Sequence, residues 1–178
     1  MSNPLPPRDA DIADQRDEIS RIISSTRDDP GCDNVVYVLE CRTPDNEAEL
    51  QKFKQNVDAF TDYSIYDIKA LIADEVYYVG WTNRPIGRIL DHLRAEDEGA
   101  QFTKVYQPIA IEEVRWFQSS KAAKQAESSV AKEYNHYIST DMTIDLAYLE
   151  TDGQELKWTD IMAEIDQFER PRSFAYSL

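Results

Sequence analysis

Val35-Val36-Tyr37-Val38-Leu39 is the segment that leaves this chain least freedom. β-Branched, aromatic and aliphatic residues follow one another there without a break. They lie between the turn-rich residues 26–34 and Thr43-Pro44-Asp45, and this composition predicts a strand. Val76-Tyr77-Tyr78-Val79 predicts a second strand, ended by Gly80. Further strands are expected over 109–117 and 144–149, the last followed by a turn at Asp152-Gly153. Helical spacing fills the intervals. Residues 9–25 place Ile12, Ile19, Ile22 and Ile23 on one side. Helices are also expected over 43–60, 65–73 and 158–168. Asn83 and Pro85 give a start signal for a helix reaching Ala95, with a core face of Ile86, Ile89, Leu90 and Leu93. Residues 96–108 read as a polar loop carrying Phe102, Lys104 and Tyr106, and Ser119 or Ser120 caps a long helix to Tyr137.

The resulting class is α/β of the α+β kind: a small central, mostly antiparallel three-stranded sheet flanked by helices. Three parts are expected. Residues 1–34 form a leader and helix, 35–137 the main domain with a helical insertion over about 42–74, and 138–178 an extension packed on it. A chain of 178 residues with 42% hydrophobic residues can build one core. No apolar run is long enough to span a bilayer, so the chain reads as soluble and cytoplasmic, without a membrane partner. Cys32 and Cys41 lack zinc-ligand spacing and read as free thiols.

Charge points away from the usual nucleic-acid binder. Carboxylates outnumber bases 34 to 19, for a net −15, whereas phosphate binding favours a basic footprint. Such dispersed acidity resembles that of halophilic proteins, from haloarchaea or a halophile's virus. In molar salt the Debye length shrinks to ~3 Å, which screens repulsion from DNA. The alternative is an acidic surface that binds a basic partner or imitates DNA.

Three groups of residues suggest chemistry. Glu127 shares its helix face with Ala123, Val130, Ala131 and Tyr134, so a carboxylate sits on an inward stripe, where it calls for a cation or a metal. Otherwise its head reaches water or an arginine at the stripe's edge. Arg88 and His92, four apart, project together; a guanidinium suits a phosphate, and an imidazole can accept or relay a proton near neutral pH. Tyr37 and Tyr78 are phenols that can orient or deprotonate a water when a nearby cation lowers their pKa, or simply fill a sheet face.

Taken in order, Val35-Val36-Tyr37, Tyr78-Val79-Gly80, Gly80-Trp81-Thr82, Arg88, His92, Gly99-Ala100-Gln101-Phe102-Thr103-Lys104, Ala123 with Glu127 and Lys132, and Asn135 resemble the motifs of the GIY-YIG nucleases. The resemblance covers about 100 residues. It departs from the family at Val35, where a glycine is usual, and in the 41 residues from Tyr37 to Tyr78, where a short hairpin is usual. It implies an endonuclease that hydrolyses DNA phosphodiesters with one Mg²⁺ or Mn²⁺. Glu127 would be the metal ligand and Arg88 would neutralise charge on the phosphoryl group. Tyr37, helped by His92, would activate water, with Tyr78 assisting. Gly80, Thr82, Arg84, Lys104 and Asn135 would contact substrate. The DNA, branched or damaged, is the implied partner, with a homodimer or an accessory protein as further possibilities. Two rivals are a GIY-YIG fold that binds nucleic acid or protein without cutting, and an acidic decoy of DNA.

Overall fold

A computed structural model describes residues 2–27, 29–46, 48–49, 70, 73–95, 101–135 and 173–177. Among these lie nine elements: β1 (Asn3–Pro4), α1 (Ile12–Thr26), β2 (Asn34–Arg42), β3 (Glu75–Thr82), α2 (Pro85–Arg94), α3 (Gln101–Val105), β4 (Gln107–Phe117), α4 (Ser120–Tyr134) and β5 (Ser173–Ser177). The strands form one mixed sheet in the order β1-β4-β2-β3-β5. All pairs are antiparallel except β3 with β5.

The sheet is therefore five-stranded, not three-stranded. β1 adds at one edge, where a proline is tolerated because its missing N–H faces no partner. β5 adds at the other edge, its Phe174 and Tyr176 on one face and Ala175 on the other, an alternation too short to stand out in sequence. The expected strand at 144–149 and the helices at 158–168 and over most of 43–60 and 65–73 lie outside the described residues.

β2 is central and buried on both faces, which is why it reads as an unbroken apolar run. Its odd-numbered residues Val35, Tyr37, Leu39 and Cys41 pack with Val76 and Tyr78 under α1, α2 and α3. Val36 and Val38 pack with Tyr77 and Val79 under α4. The sheet thus separates two cores, and strand parity decides which one each tyrosine joins. Both cysteines are buried and free.

Three local expectations change. Ile12 is 47% exposed, and Gln15 takes an inward place on α1 instead; Asp11 caps that helix by accepting from Ala13 N at 2.9 Å. Residues 101–105 are helical rather than loop. Phe102, Val105 and Tyr106 fall on one side of that turn and are buried, so the polar composition around them concealed a core element. Arg84, not Asn83, occupies the N-cap position of α2, because Thr82 Oγ1 already accepts from Arg84 N at 2.9 Å and closes the turn there.

Candidate active site

Tyr37 crosses the sheet onto Gly80. The two residues are register partners in the β2–β3 ladder. A Cβ on Gly80 would lie 2.5 Å from Tyr37 Oη and 2.7 Å from its Cζ, so glycine is what admits the ring. Tyr78, two residues earlier on the same face, lies 6.1 Å from the Tyr37 ring centroid. Both tyrosines are 1% exposed.

From the facing helix, α2, come Arg88 and His92. Arg88 is hydrogen-bonded to both phenols. His92, with none of its surface exposed, joins Nε2 to Tyr37 Oη at 2.8 Å and Nδ1 to Thr103 Oγ1 at 2.7 Å. If Tyr37 donates to Nε2, the Nδ1–H donates to Thr103; in the other tautomer both bonds reverse. The fork of Arg88 can only donate, so it favours electron density on both phenol oxygens.

Burial governs the charge states. Desolvation holds the Tyr37 phenol well above its ordinary value, against a lowering by Arg88. Tyr78 is pushed up to about 12, again by burial, with Arg88 lowering it and the Glu127 charge raising it. His92 is pushed down to about 3 by burial and then by Arg88. The imidazole is thus neutral near pH 7 and does not titrate there, contrary to the expectation of a group poised near neutrality.

Glu127 arrives from α4, on the other side of the sheet, and is half-buried beside Ala123, Val130 and Ala131. β5 stops opposite Val79, and two residues farther along β3 the Trp81 backbone donates to Glu127. The carboxylate is raised above its usual range by desolvation, with the Trp81 bond opposing. Its charge is felt by Tyr78, which places it within electrostatic reach of that phenol. Among the described residues no cluster of three or more His, Cys, Asp or Glu forms a metal cage. A single desolvated carboxylate fits a hard divalent ion that takes its other ligands from water and phosphate.

Of the other residues, Gly80 lies under Tyr37 and the buried Thr82 shapes the turn into α2. Arg84 is exposed at that turn. Lys104 follows Thr103 on α3 and is half-buried. Asn135 follows the last residue of α4. Its amide donates to Ala131 O and Ala175 O, each at 3.1 Å, and accepts from Ala175 N at 2.8 Å, so it fastens β5 to α4. Sequence reasoning missed Thr103 as a partner of His92, and Lys124, whose Nζ lies 4.8 Å above the Trp81 ring one turn before Glu127. Spacing offered a hint of Lys124 but none of Thr103, whose partner sits across an undescribed segment.

The sheet presents two phenols to an Arg–His helix, with a desolvated carboxylate bonded at the Trp81 backbone. Residues 62–140 match the family model of the GIY-YIG catalytic domain, a nuclease-type family. The match begins inside the 42–74 stretch and includes Tyr78, Gly80, Arg88, His92 and Glu127; the strand bearing Tyr37 precedes it, yet folds into the same site. No curated protein and no solved structure matches the chain. Among the described residues no helix is long and apolar enough to cross a membrane.

Proposed function

We propose that the protein is a metal-dependent endonuclease that hydrolyses DNA phosphodiesters at the Tyr37–Tyr78–Arg88–His92–Glu127 site. The observation that carries this reading is the buried Tyr37–His92 hydrogen bond, with Arg88 on both phenols, built on the matched domain.

Each residue has work suited to its surroundings. Glu127 would hold one Mg²⁺ or Mn²⁺, which when bound supplies positive charge against the scissile phosphate. Arg88 already opposes the upward shift of both phenols and would meet charge developing on the phosphoryl oxygens. His92 keeps the Tyr37 hydroxyl in one direction, so that Tyr37 Oη faces the attacking water and takes up its proton as the phenol's own proton passes to the neutral Nε2 of His92. Tyr78 assists by hydrogen bonding. Arg84 and Lys104 would contact the DNA backbone through charge–phosphate pairs. Branched or damaged DNA is the proposed substrate class, and the acidic composition suits cleavage in high salt.

The second reading, a binding module that does not cut, is favoured by one observation: Tyr37 is 1% exposed and held in its protonated form. Cleavage of a panel of branched and linear DNAs, at low and molar salt, with and without Mg²⁺ or Mn²⁺, separates the two. Metal-dependent nicking that disappears in Glu127→Ala and Arg88→Ala supports the nuclease. Tight binding without nicking under every condition supports the binding module.

A further inference from the structure

Residues 2–26 precede both the matched domain and the strand of Tyr37, yet they reach Leu93, next to His92, and Thr103, its partner. β1 pairs with β4, and Leu5 N donates to Ile109 O at 2.9 Å, which lays the segment along the sheet edge. Arg8 then donates from Nε to Leu93 O at 2.8 Å and from Nη2 to Thr103 O at 3.3 Å. Leu93 follows His92 at the C-terminal end of α2, where helix carbonyls lack partners within the helix. Thr103 is the residue whose hydroxyl meets His92 Nδ1. One guanidinium therefore joins the backbones of the two elements between which the His92–Thr103 hydrogen bond runs.

Arg8 is itself held from behind. Gln15, with none of its surface exposed, donates from Nε2 to Pro7 O at 2.8 Å and to Arg8 O at 3.0 Å. Its Oε1 accepts from Arg94 Nη1 at 2.8 Å, which returns the chain of bonds to α2. A buried amide satisfied on both its nitrogen and its oxygen specifies one arrangement of its neighbours. The planar fork of an arginine can bridge two carbonyls at a fixed separation, which the point charge of a lysine cannot reproduce.

We propose that Arg8 is a positioning residue for the Tyr37–His92 pair, acting through Leu93 and Thr103, so that the N-terminal segment is a working part of the site. The catalytic consequence rests on the nuclease reading; the geometric consequence does not. Loss of Arg8 frees the Thr103 turn from the end of α2. The His92 ring then loses its fixed Nδ1 partner, and with it the direction of the Tyr37 hydroxyl.

The test uses the full chain with Arg8→Ala, Arg8→Lys and, as a control, Arg21→Ala, which alters only an exposed ion pair with Glu18. The chain has two histidines, so the ring nitrogens of His92 are assigned in ¹⁵N-labelled protein by their loss in His92→Gln. Wild type and Arg21→Ala should each show one neutral His92 tautomer. Arg8→Ala should show averaged or shifted ring nitrogens, and Arg8→Lys an intermediate pattern. In DNA cleavage, kcat should fall by up to about 100-fold in Arg8→Ala with KM little changed, as for a misplaced catalytic group. Should Arg8→Ala fail to fold, Arg8→Lys carries the comparison.

Unchanged His92 nitrogens in the folded variants would overturn the proposal. So would a kcat loss no larger than the unfolded fraction explains. If wild type cleaves no DNA under any condition, the nuclease reading fails, and the ring-nitrogen comparison still decides the role of Arg8.

Discussion

Replacing Gly80 by alanine places one methyl group against the ring on which the site depends. The added carbon would sit 2.5 Å from Tyr37 Oη, 2.7 Å from Tyr37 Cζ and 3.1 Å from Tyr78 Cε1. Ordinary carbon contacts lie near 3.5–4.0 Å, so the Tyr37 ring must retreat by roughly 1 Å. It has little room to do so, because His92 Nε2 holds its hydroxyl at 2.8 Å and Arg88 is bonded to the same oxygen. Overpacking of this kind costs about 1–3 kcal/mol. Alanine returns about 0.4–1 kcal/mol by restricting the unfolded chain, since Gly80 does not adopt a left-handed backbone. At the middle of these ranges the net loss is about 1.3 kcal/mol, and with a urea slope of about 2 kcal/mol/M the midpoint falls by about 0.6 M. A 1 Å displacement of a positioned group lowers cleavage by about 100-fold. Urea unfolding and single-turnover cleavage measure the two effects. The double variant Tyr37→Phe/Gly80→Ala, which removes the nearest clashing atom, should be less than additive in stability. A Gly80→Ala protein as stable as wild type, with full cleavage, would refute the reasoning.

Tyr37→Phe should lower kcat by about 10²–10⁴, the range for loss of an acid–base group, whereas Tyr77→Phe should leave it within a few-fold, since Tyr77 faces α4 and bonds Glu75; steady-state cleavage of one substrate compares them. Glu127→Gln should abolish metal-dependent cleavage yet raise the thermal midpoint at pH 7–8. Burial raises this carboxyl, so its ionised form destabilises the fold above the raised value, and the gain should fade as the pH falls toward the ordinary carboxylate range. Mg²⁺ should stabilise wild type and not Glu127→Gln in the same melts. His92, lowered to about 3 from 6.5, should make stability decline as the pH falls below about 6.5, because only the unfolded chain takes up that proton, by at most about 1.4 kcal/mol per pH unit down to about 3. His92→Gln should flatten that decline in urea titrations at pH 7, 6 and 5.

Much of the site was legible because two short periodicities place its parts. Alternation along a strand puts Tyr37 and Tyr78 on definite faces, and the four-residue interval on a helix joins Arg88 to His92. The apolar stripe around Glu127 marked a carboxylate under desolvation pressure, and it is half-buried and raised accordingly. What stayed hidden depended on partners distant in sequence. His92 and Thr103 are eleven residues apart and Arg8 and Thr103 ninety-five, with no local pattern to pair them. Asn135 belongs to the same class: its amide bonds the backbone of Ala175, forty residues on.

By itself the sequence determined the strands of Tyr37 and Tyr78, the Arg88–His92 helix, the inward carboxylate and the family resemblance, because these follow from short-range periodicity and residue type. Only the tertiary structure decided that the sheet has five strands and that Tyr37 lies on Gly80. It also decided that the imidazole is sealed in a neutral state and that the N-terminal segment reaches the end of α2. Burial and long-range hydrogen bonding set those outcomes, and both depend on which surfaces the fold removes from water.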